Sequence, residues 1–236
     1  MSYCSAHQFL EDSDISKGLI PKPNFGNAYL SINVPIQQAP EAFSYIKSES
    51  EKFQRFSPDV VDLYKDASLH FTLGAAVKLK DDPNVEKIKE IIEPKKEEIL
   101  KIIEEEISKL RSLKVAAKFT KTTDQSIFVF GSFEEKAKTA IETFQNNIVE
   151  KVYKVLEGTG VEKYTGNKAF GRPINFARWN VEKLPEETKG FFEKYTKGFK
   201  EDIKAVGLVT KAVLTYSDQA WSNPKKDSIQ EFTLGK

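Results

Sequence analysis

Residues 68–77 read SLHFTLGAAV, and this stretch decides the interpretation of the whole chain. Polar and apolar residues alternate in its first half, which is typical of a strand with one buried face. Phe71 and Leu73 lie on the apolar face. His70 and Thr72 share the opposite face, about 6.5–7 Å apart. An imidazole exchanges protons near neutral pH and a threonine hydroxyl can hold an anionic oxygen beside it, so the pair suits a phosphate across the strand. Taken alone, however, an H-x-T pattern more often marks a half-exposed structural histidine.

Regular elements extend outward from this strand. Asn27–Val34 alternates in the same way, and Pro35 ends it. Pro40–Phe56 has apolar residues at helical spacing, and a proline suits the first turn of a helix. Downstream, Lys114–Thr120 and Ser126–Phe133 alternate again and are separated by a stretch short enough for a hairpin loop. We therefore expect a strand, a helix and a second strand, followed later by a hairpin.

Two long helical patterns separate these strands. An apolar stripe at helical spacing runs through residues 86–112, with lysine and glutamate on the opposite face. Pro94 lies inside the stripe, and because proline cannot continue the helical hydrogen-bond ladder, we expect a kink or break near Glu93. A second helix is predicted over residues 134–157, where Gly158 or Gly160 would end it.

The C-terminal part repeats the mixture of strands and helices. The predicted elements are a strand over Pro173–Trp179, a helix over Pro185–Val206, and closing strands over Leu208–Ser217 and Ile229–Leu234. Mixed strands and helices with hairpin-sized connections indicate an α+β fold with largely antiparallel sheets. The chain also divides into two related halves, each with a strand, a helix and a strand that bears a polar pair on one face.

Composition limits the chemistry. The chain has 236 residues, and its 36 Lys+Arg nearly balance its 35 Asp+Glu, which argues against nucleic-acid binding through a basic tail. The only cysteine is Cys4, so an intrachain disulfide and a cysteine zinc site are excluded. The two histidines are His7 and His70. We predict that the protein uses no metal and no cofactor.

The first residues contain no basic stretch followed by an apolar run, so we read no signal peptide. Residues 1–23 carry no sustained periodicity and are interpreted as a mobile N-terminal arm. Residues 24–236 are interpreted as one bilobal domain. Because no window approaches the ~18 apolar residues of a membrane helix, we expect a cytoplasmic protein with no membrane partner. We also expect a monomer.

The order and spacing of these motifs resemble the 2H phosphoesterase superfamily. The resemblance rests on YLSINVP, LHFTLG, PINFARW and the ending VLTYSDQAWSNPKKDSIQEFTLG, and it spans about residues 26–235. The family includes the bacterial RNA 2′,3′-cyclic phosphodiesterases once called 2′-5′ RNA ligases. The resemblance implies a bilobal α+β fold in which two sheets flank a central groove with helices outside. Each lobe would contribute one H-x-T/S strand to a groove that holds a phosphodiester, with His70 and Thr72 as the first motif.

The second motif departs from the family pattern. Its typical form is His-hydrophobic-Thr-Leu-Ala-Arg-aromatic, whereas residues 173–179 read PINFARW. Pro173 stands at the histidine position and Asn175 at the threonine position, while Arg178 is retained. In the family one histidine is the general base and the other the general acid, and losing one such group typically costs about 10²–10⁴-fold in rate. Proline offers no proton, but the Asn175 amide can still donate to a phosphate oxygen.

The resemblance leaves three functions open. The first is a slowed phosphodiesterase for 2′,3′-cyclic or 2′-5′-linked ribonucleotides, with His70 and Thr72 as catalytic residues. The second is an inactive relative that binds a nucleotide or RNA end through Asn175, Arg178 and Tyr29. The third is a protein-interaction module that uses the helix over residues 86–112. The lost histidine favours the second function over the first as chemistry, and strand parity places Arg178 on the face opposite to Asn175.

Overall fold

A computed structural model describes residues 26–56, 61–63, 66, 69–122, 126–167, 172–179, 185–188, 190–191, 203–217 and 224–235. The N-terminal arm over residues 1–23, including His7, lies outside the described residues. So do the hairpin loop at 123–125 and most of the helix expected after Pro185.

Ten strands and five helices follow one another along the described chain. The strands are β1 (Ala28–Pro35), β2 (Val61–Leu63), β3 (His70–Leu79), β4 (Leu113–Thr122), β5 (Ser126–Phe133), β6 (Glu162–Lys163), β7 (Arg172–Trp179), β8 (Ala205–Val209), β9 (Lys211–Ser217) and β10 (Ser228–Thr233). The helices are α1 (Pro40–Phe56), α2 (Val85–Ile92), α3 (Lys96–Ile107), α4 (Lys138–Leu156) and α5 (Pro224–Asp227).

The strands form two sheets of five strands each. One has the order β10-β9-β1-β3-β6 and the other the order β2-β7-β5-β4-β8. Every pairing within both sheets is antiparallel. The predicted α+β class with two antiparallel sheets is therefore confirmed. None of the helices in the described part of the chain has the length and apolar character needed to cross a membrane.

Prolines and a glycine mark helix boundaries in the structure, as the sequence predicted. Helix α1 spans Pro40–Phe56 as predicted. The apolar stripe over residues 86–112 is divided where Pro94 predicted a break, because a 3-10 turn at Glu93–Lys95 separates α2 from α3. After α4, Gly158 adopts a left-handed φ of 82°, which ends the helix there.

Two C-terminal predictions are wrong. The helix predicted to continue to Val206 has already given way to strand β8 at Ala205, and the single strand predicted over Leu208–Ser217 is two strands. Strand β8 pairs with β4 in one sheet, whereas β9 pairs with β1 in the other. The chain passes from one sheet to the other at Thr210, between β8 and β9. The Gln38 side chain stabilises this connection, because its Oε1 accepts hydrogen bonds from the backbone N–H groups of Thr210 and Lys211.

The helices pack on the apolar faces of both sheets. On the β1 side, α4 contacts β3, and a Cβ added at Gly74 would meet the Ile148 side chain at 3.0 Å. Helix α1 contacts β4, β7 and β8 of the other sheet, with the Phe53 and Phe176 rings in edge contact at 5.7 Å. This arrangement confirms that the helices lie outside the sheets.

A buried carboxylate joins α3 to α4. Glu106 is 1% exposed, and its carboxylate contacts Lys109 and Lys151 at 2.7 Å each and accepts from Asn147 at 2.7 Å. Burial raises the pKa of Glu106, but the three hydrogen bonds outweigh it and lower the pKa to about 2. The Glu106 carboxylate therefore stabilises the folded state while it remains charged.

The two sheets meet at Gly131 of β5. A Cβ added there would lie 2.7 Å from Phe71 Cε2 of β3 and 2.9 Å from Ile174 Cδ1 of β7. Phe71 is fully buried and also packs on the Phe133 ring at 4.2 Å. Only a residue without a side chain allows both apolar groups to approach the β5 backbone, so Gly131 fixes the spacing between β3 and β7.

Gly131→Ala should destabilise the fold by about 1–3 kcal/mol, because an added methyl overpacks the contact with Phe71 and Ile174. The measurement is the midpoint of urea unfolding. Gly190→Ala is the control, since no atom of the described residues lies within 4 Å of a methyl added at that position. Equal midpoints for the two variants would show that the contact at Gly131 relaxes freely.

Glu106→Gln should lower the free energy of unfolding by about 1–3 kcal/mol at pH 7, because charged hydrogen bonds are lost at a buried site. The folded-state pKa lies below the ordinary value of 4.5, so this stabilisation is complete above that value and is lost as pH falls towards about 2. Urea unfolding at pH 7 and pH 3 should therefore show a smaller difference between wild type and variant at pH 3. Glu105→Gln, which removes an exposed carboxylate beside the same two lysines, should have little effect.

Candidate functional site

The site begins where β3 and β7 meet. These strands belong to different sheets, yet their Cα atoms come within 8 Å of each other. Phe71 and Ile174 both reach Gly131, so their side chains point into one shared interior. Because side chains alternate along a strand, His70 and Thr72 project away from that interior on β3, and Asn175 does so on β7. All three side chains are partly exposed.

Two bulges confine the polar part of β3 to its first residues. His70 pairs with Pro35 and Thr72 with Asn33, but the register shifts immediately after Thr72 and again before Val77. From Leu73 to Val77 every residue is buried. His70 and Thr72 are both partly exposed, and on this face of β3 they are separated from the partly exposed Lys78 by a buried stretch.

Side-chain amides cover the outer edge of β3 next to the polar pair. Gln145 donates from Nε2 to the Leu73 carbonyl at 2.7 Å. Asn167 accepts from the Ala75 N–H at 2.9 Å and donates to the Ala75 carbonyl at 2.8 Å, as a paired strand would. These bonds satisfy backbone groups that the very short strand β6 does not reach.

Strand β7 carries the second half of the site. Asn175 pairs with Phe128 and Pro173 with Phe130, so two partly buried phenylalanines neighbour these positions on the same face. Phe176 forms a bulge, because Ile127 pairs with Ala177 and Phe128 with Asn175. The bulged residue packs inward on α1.

The bulge overturns the parity expected for Arg178. Ser126 and Phe128 share a face of β5, and they pair with Arg178 and Asn175 respectively. The backbone position of Arg178 is therefore on the same face as Asn175, not the opposite one. The side chains of Pro173 and Arg178 lie outside the described residues.

Tyr29 lies on the same face of β1 as Asn33, but at the other end of the strand. It pairs with Lys78 and Ser217, four residues from Asn33, or about 13 Å at 3.3 Å per residue. Burial raises the pKa of the Tyr29 hydroxyl, which accepts a hydrogen bond from Asn27, and its ring meets Tyr164 edge-on at 5.6 Å. The structure thus places β3, which carries His70 and Thr72, beside β7, which carries Asn175, and it leaves Tyr29 at the other end of β1.

A buried polar cluster, of which the sequence pattern indicated only Ser31, continues the His70–Thr72 face across the sheet. Ser31, Asn33, Thr215 and Ser217 are each at most 4% exposed and hydrogen-bonded to one another. Ser31 and Asn33 occupy alternate positions of β1, and Thr215 and Ser217 occupy alternate positions of β9. The alternation of polar residues in both strands was a visible signal, but their pairing required the topology. Within the described residues, no group of three His, Cys, Asp or Glu side chains is arranged to hold a metal ion.

Comparisons with known proteins find similarity only at the level of structure. No protein-family model matches the sequence. No curated protein matches it either. The chain is similar to a crystal structure of a phosphoesterase, with a TM-score of 0.49 and 9% identity over 89% of this chain and 99% of that one.

Two further solved structures are similar over nearly their whole length. E. coli LigT complexed with 3′-AMP has a TM-score of 0.49 and 10% identity, covering 90% of this chain and 100% of that one. Usb1 of Kluyveromyces marxianus has a TM-score of 0.37 and 12% identity, covering 90% of this chain and 98% of that one.

Proposed function

We propose that this protein binds the phosphate of a ribonucleotide or RNA end between β3 and β7, as the resemblance to the 2H phosphoesterases implies. The observation that carries the proposal is the placement of His70, Thr72 and Asn175 on the exposed side of two adjacent strands. A proton-transfer group, a hydroxyl donor and an amide donor are the groups that a phosphodiester requires.

Hydrolysis of a 2′,3′-cyclic or 2′-5′-linked ribonucleotide is the reaction proposed for this site, at a low rate. His70 transfers one proton, and Thr72 and Asn175 hold the non-bridging oxygens. Pro173 supplies no second proton-transfer group. The backbone position of Arg178 on the Asn175 face supports a contribution of its positive charge to the same phosphate. Phosphate binding without turnover is the alternative that this arrangement also supports.

The remaining alternative, a protein partner at residues 86–112, has a smaller surface than the sequence indicated. The apolar members of the stripe, Ile88, Ile92, Ile99, Ile103 and Ile107, are buried inside the protein. A partner would therefore meet the charged side of α2 and α3. We also propose that the protein is a cytoplasmic monomer.

Thr72→Val should weaken binding of a nucleoside 2′- or 3′-monophosphate by about 5- to 150-fold, the equivalent of 1–3 kcal/mol for a donor to a charged oxygen. Isothermal titration calorimetry measures the dissociation constant, which we expect to be millimolar or tighter for wild type. Thr143→Val, on the exposed side of α4, is the matched control and should bind as wild type does. If wild type binds no nucleoside monophosphate, the proposed function is wrong. If Thr72→Val binds as tightly as wild type, the Thr72 hydroxyl does not contact the phosphate.

The double variant Pro173→His with Asn175→Thr should raise the rate of 2′,3′-cyclic nucleotide hydrolysis, by up to the ~10²–10⁴ that one acid or base supplies. Wild type should show one essential ionisation in its pH–rate profile, and the double variant a bell with two. The measurement is the initial rate against pH, with His70→Ala as the control that abolishes turnover in both backgrounds. A bell-shaped profile in wild type would place the second proton-transfer group elsewhere.

A further inference from the structure

The sheet that contains β7 has a face that extends well beyond the candidate phosphate site. Helix α1 packs on one side of this sheet, against β4, β7 and β8. On the opposite side, here called the open face, Asn175 stands beside β5, and β4 and β8 follow in order. At about 4.8 Å per strand, β8 lies about 14 Å from β7. The side chains of this face that are exposed at least in part include Lys114, Lys118, Phe128, Phe130, Val206 and Leu208.

Aromatic rings occupy the part of the open face nearest to the site. Phe128 pairs with Asn175 and Phe130 with Pro173. Both rings are partly exposed, whereas the alternate residues of β5 are buried on the side of α1. Partly exposed rings beside a polar site suit a ligand that carries flat faces of its own, and nucleobases stack on such rings whatever their sequence.

Positive charge follows the rings on β4. Strands β4, β5 and β8 contain lysines but no aspartate or glutamate. The backbone position of Lys121 pairs with Phe128, and Lys114 pairs with Leu208, which is 56% exposed. Lys118 lies between the other two lysines, in the bulge of β4. The lysines therefore run along the open face away from the candidate phosphate site.

Two acidic positions lie at the borders of the open face. Glu134 follows β5 and is paired with Lys136 at 3.2 Å. Asp62 of β2 pairs with Arg178, on the other side of β7 from the lysines. Because the whole chain has a net charge of only +1, the lysines of β4 form a local excess of positive charge. A polyanion that begins at Asn175 is therefore attracted towards β4 and β8.

We propose that the open face binds the single-stranded RNA chain that leads to the bound phosphate, so that the ligand is the end of a polynucleotide and not a mononucleotide. Phe128 and Phe130 stack bases, and the lysines of β4 contact the phosphates between them. Other sheets that bind RNA stack two or three bases on exposed aromatic residues. The inference rests on the proposed phosphate binding between β3 and β7.

The first test needs no substitution. It compares adenosine 3′-monophosphate with a tetra-adenylate that ends in a 3′-phosphate, by isothermal titration calorimetry on wild type. The tetranucleotide should bind at least about 10-fold more tightly, because each stacked base adds affinity. A tetranucleotide that lacks the three bases before its terminal adenosine keeps the phosphates and should lose most of this gain.

The second test removes positive charge from the open face. The double variant Lys114→Gln with Lys118→Gln should bind the mononucleotide as wild type does and the tetranucleotide more weakly. The slope of log K against log salt for the tetranucleotide should become shallower by about 1.4, at about 0.7 for each lost phosphate contact. The matched control is Lys101→Gln with Lys154→Gln, which removes two exposed lysines from α3 and α4 and should change neither affinity nor slope.

The outcomes separate this inference from the proposed function. If neither ligand binds wild type, both are overturned. If the mononucleotide binds and the tetranucleotide binds no more tightly, the phosphate site stands and the role of the open face is refuted. A gain in affinity that the double lysine variant retains in full, with the same salt slope, would place the RNA chain on another surface and also refute it.

Discussion

The close approach of Phe71 and Ile174 to Gly131 is the constraint on which the rest of this structure depends. It packs side chains from β3 of one sheet and β7 of the other on one β5 backbone position, where an added Cβ would lie less than 3 Å from either side chain. Burial of these apolar groups supplies the driving force, and the missing side chain supplies the room. Strand alternation then requires the neighbouring polar residues of both strands to face away from the core, which is how one hydrophobic contact creates the candidate site.

Backbone bulges in β3 and β7 determine which side chains of these strands face the candidate site. The register shift after Thr72 ends the polar stretch of β3, and residues 73–77 are buried, with α4 packed on Gly74 and the amides of Gln145 and Asn167 bonded to the strand edge. The bulge at Phe176 turns that ring inward and brings the Arg178 position to the Asn175 face. Bulges re-aim side chains without breaking a sheet, and here they do so on both strands of the site.

Much of the fold followed from local pattern. Helix α1, the break at Pro94 and the polar pair on β3 depend on short-range rules, namely helical spacing, the missing proline N–H and strand alternation. The predictions at the C-terminal strands were wrong because Leu208–Ser217 alternates as one strand would. The stretch is divided at Thr210 only by strand pairing, because β8 pairs with β4 and β9 pairs with β1.

The sequence by itself determined the α+β class, the H-x-T pair and the replacement of the second motif by Pro173 and Asn175. These are properties of single residues and of spacing within one element. The tertiary structure alone decided that Asn33 stands opposite Thr72 in a buried polar cluster, and that Arg178 shares a face with Asn175. Cross-strand partners lie as far apart in the chain as Asn33 and Thr215, and one bulge reverses the parity of all residues beyond it. Local periodicity carries no information on either, because both arise only when distant strands pair.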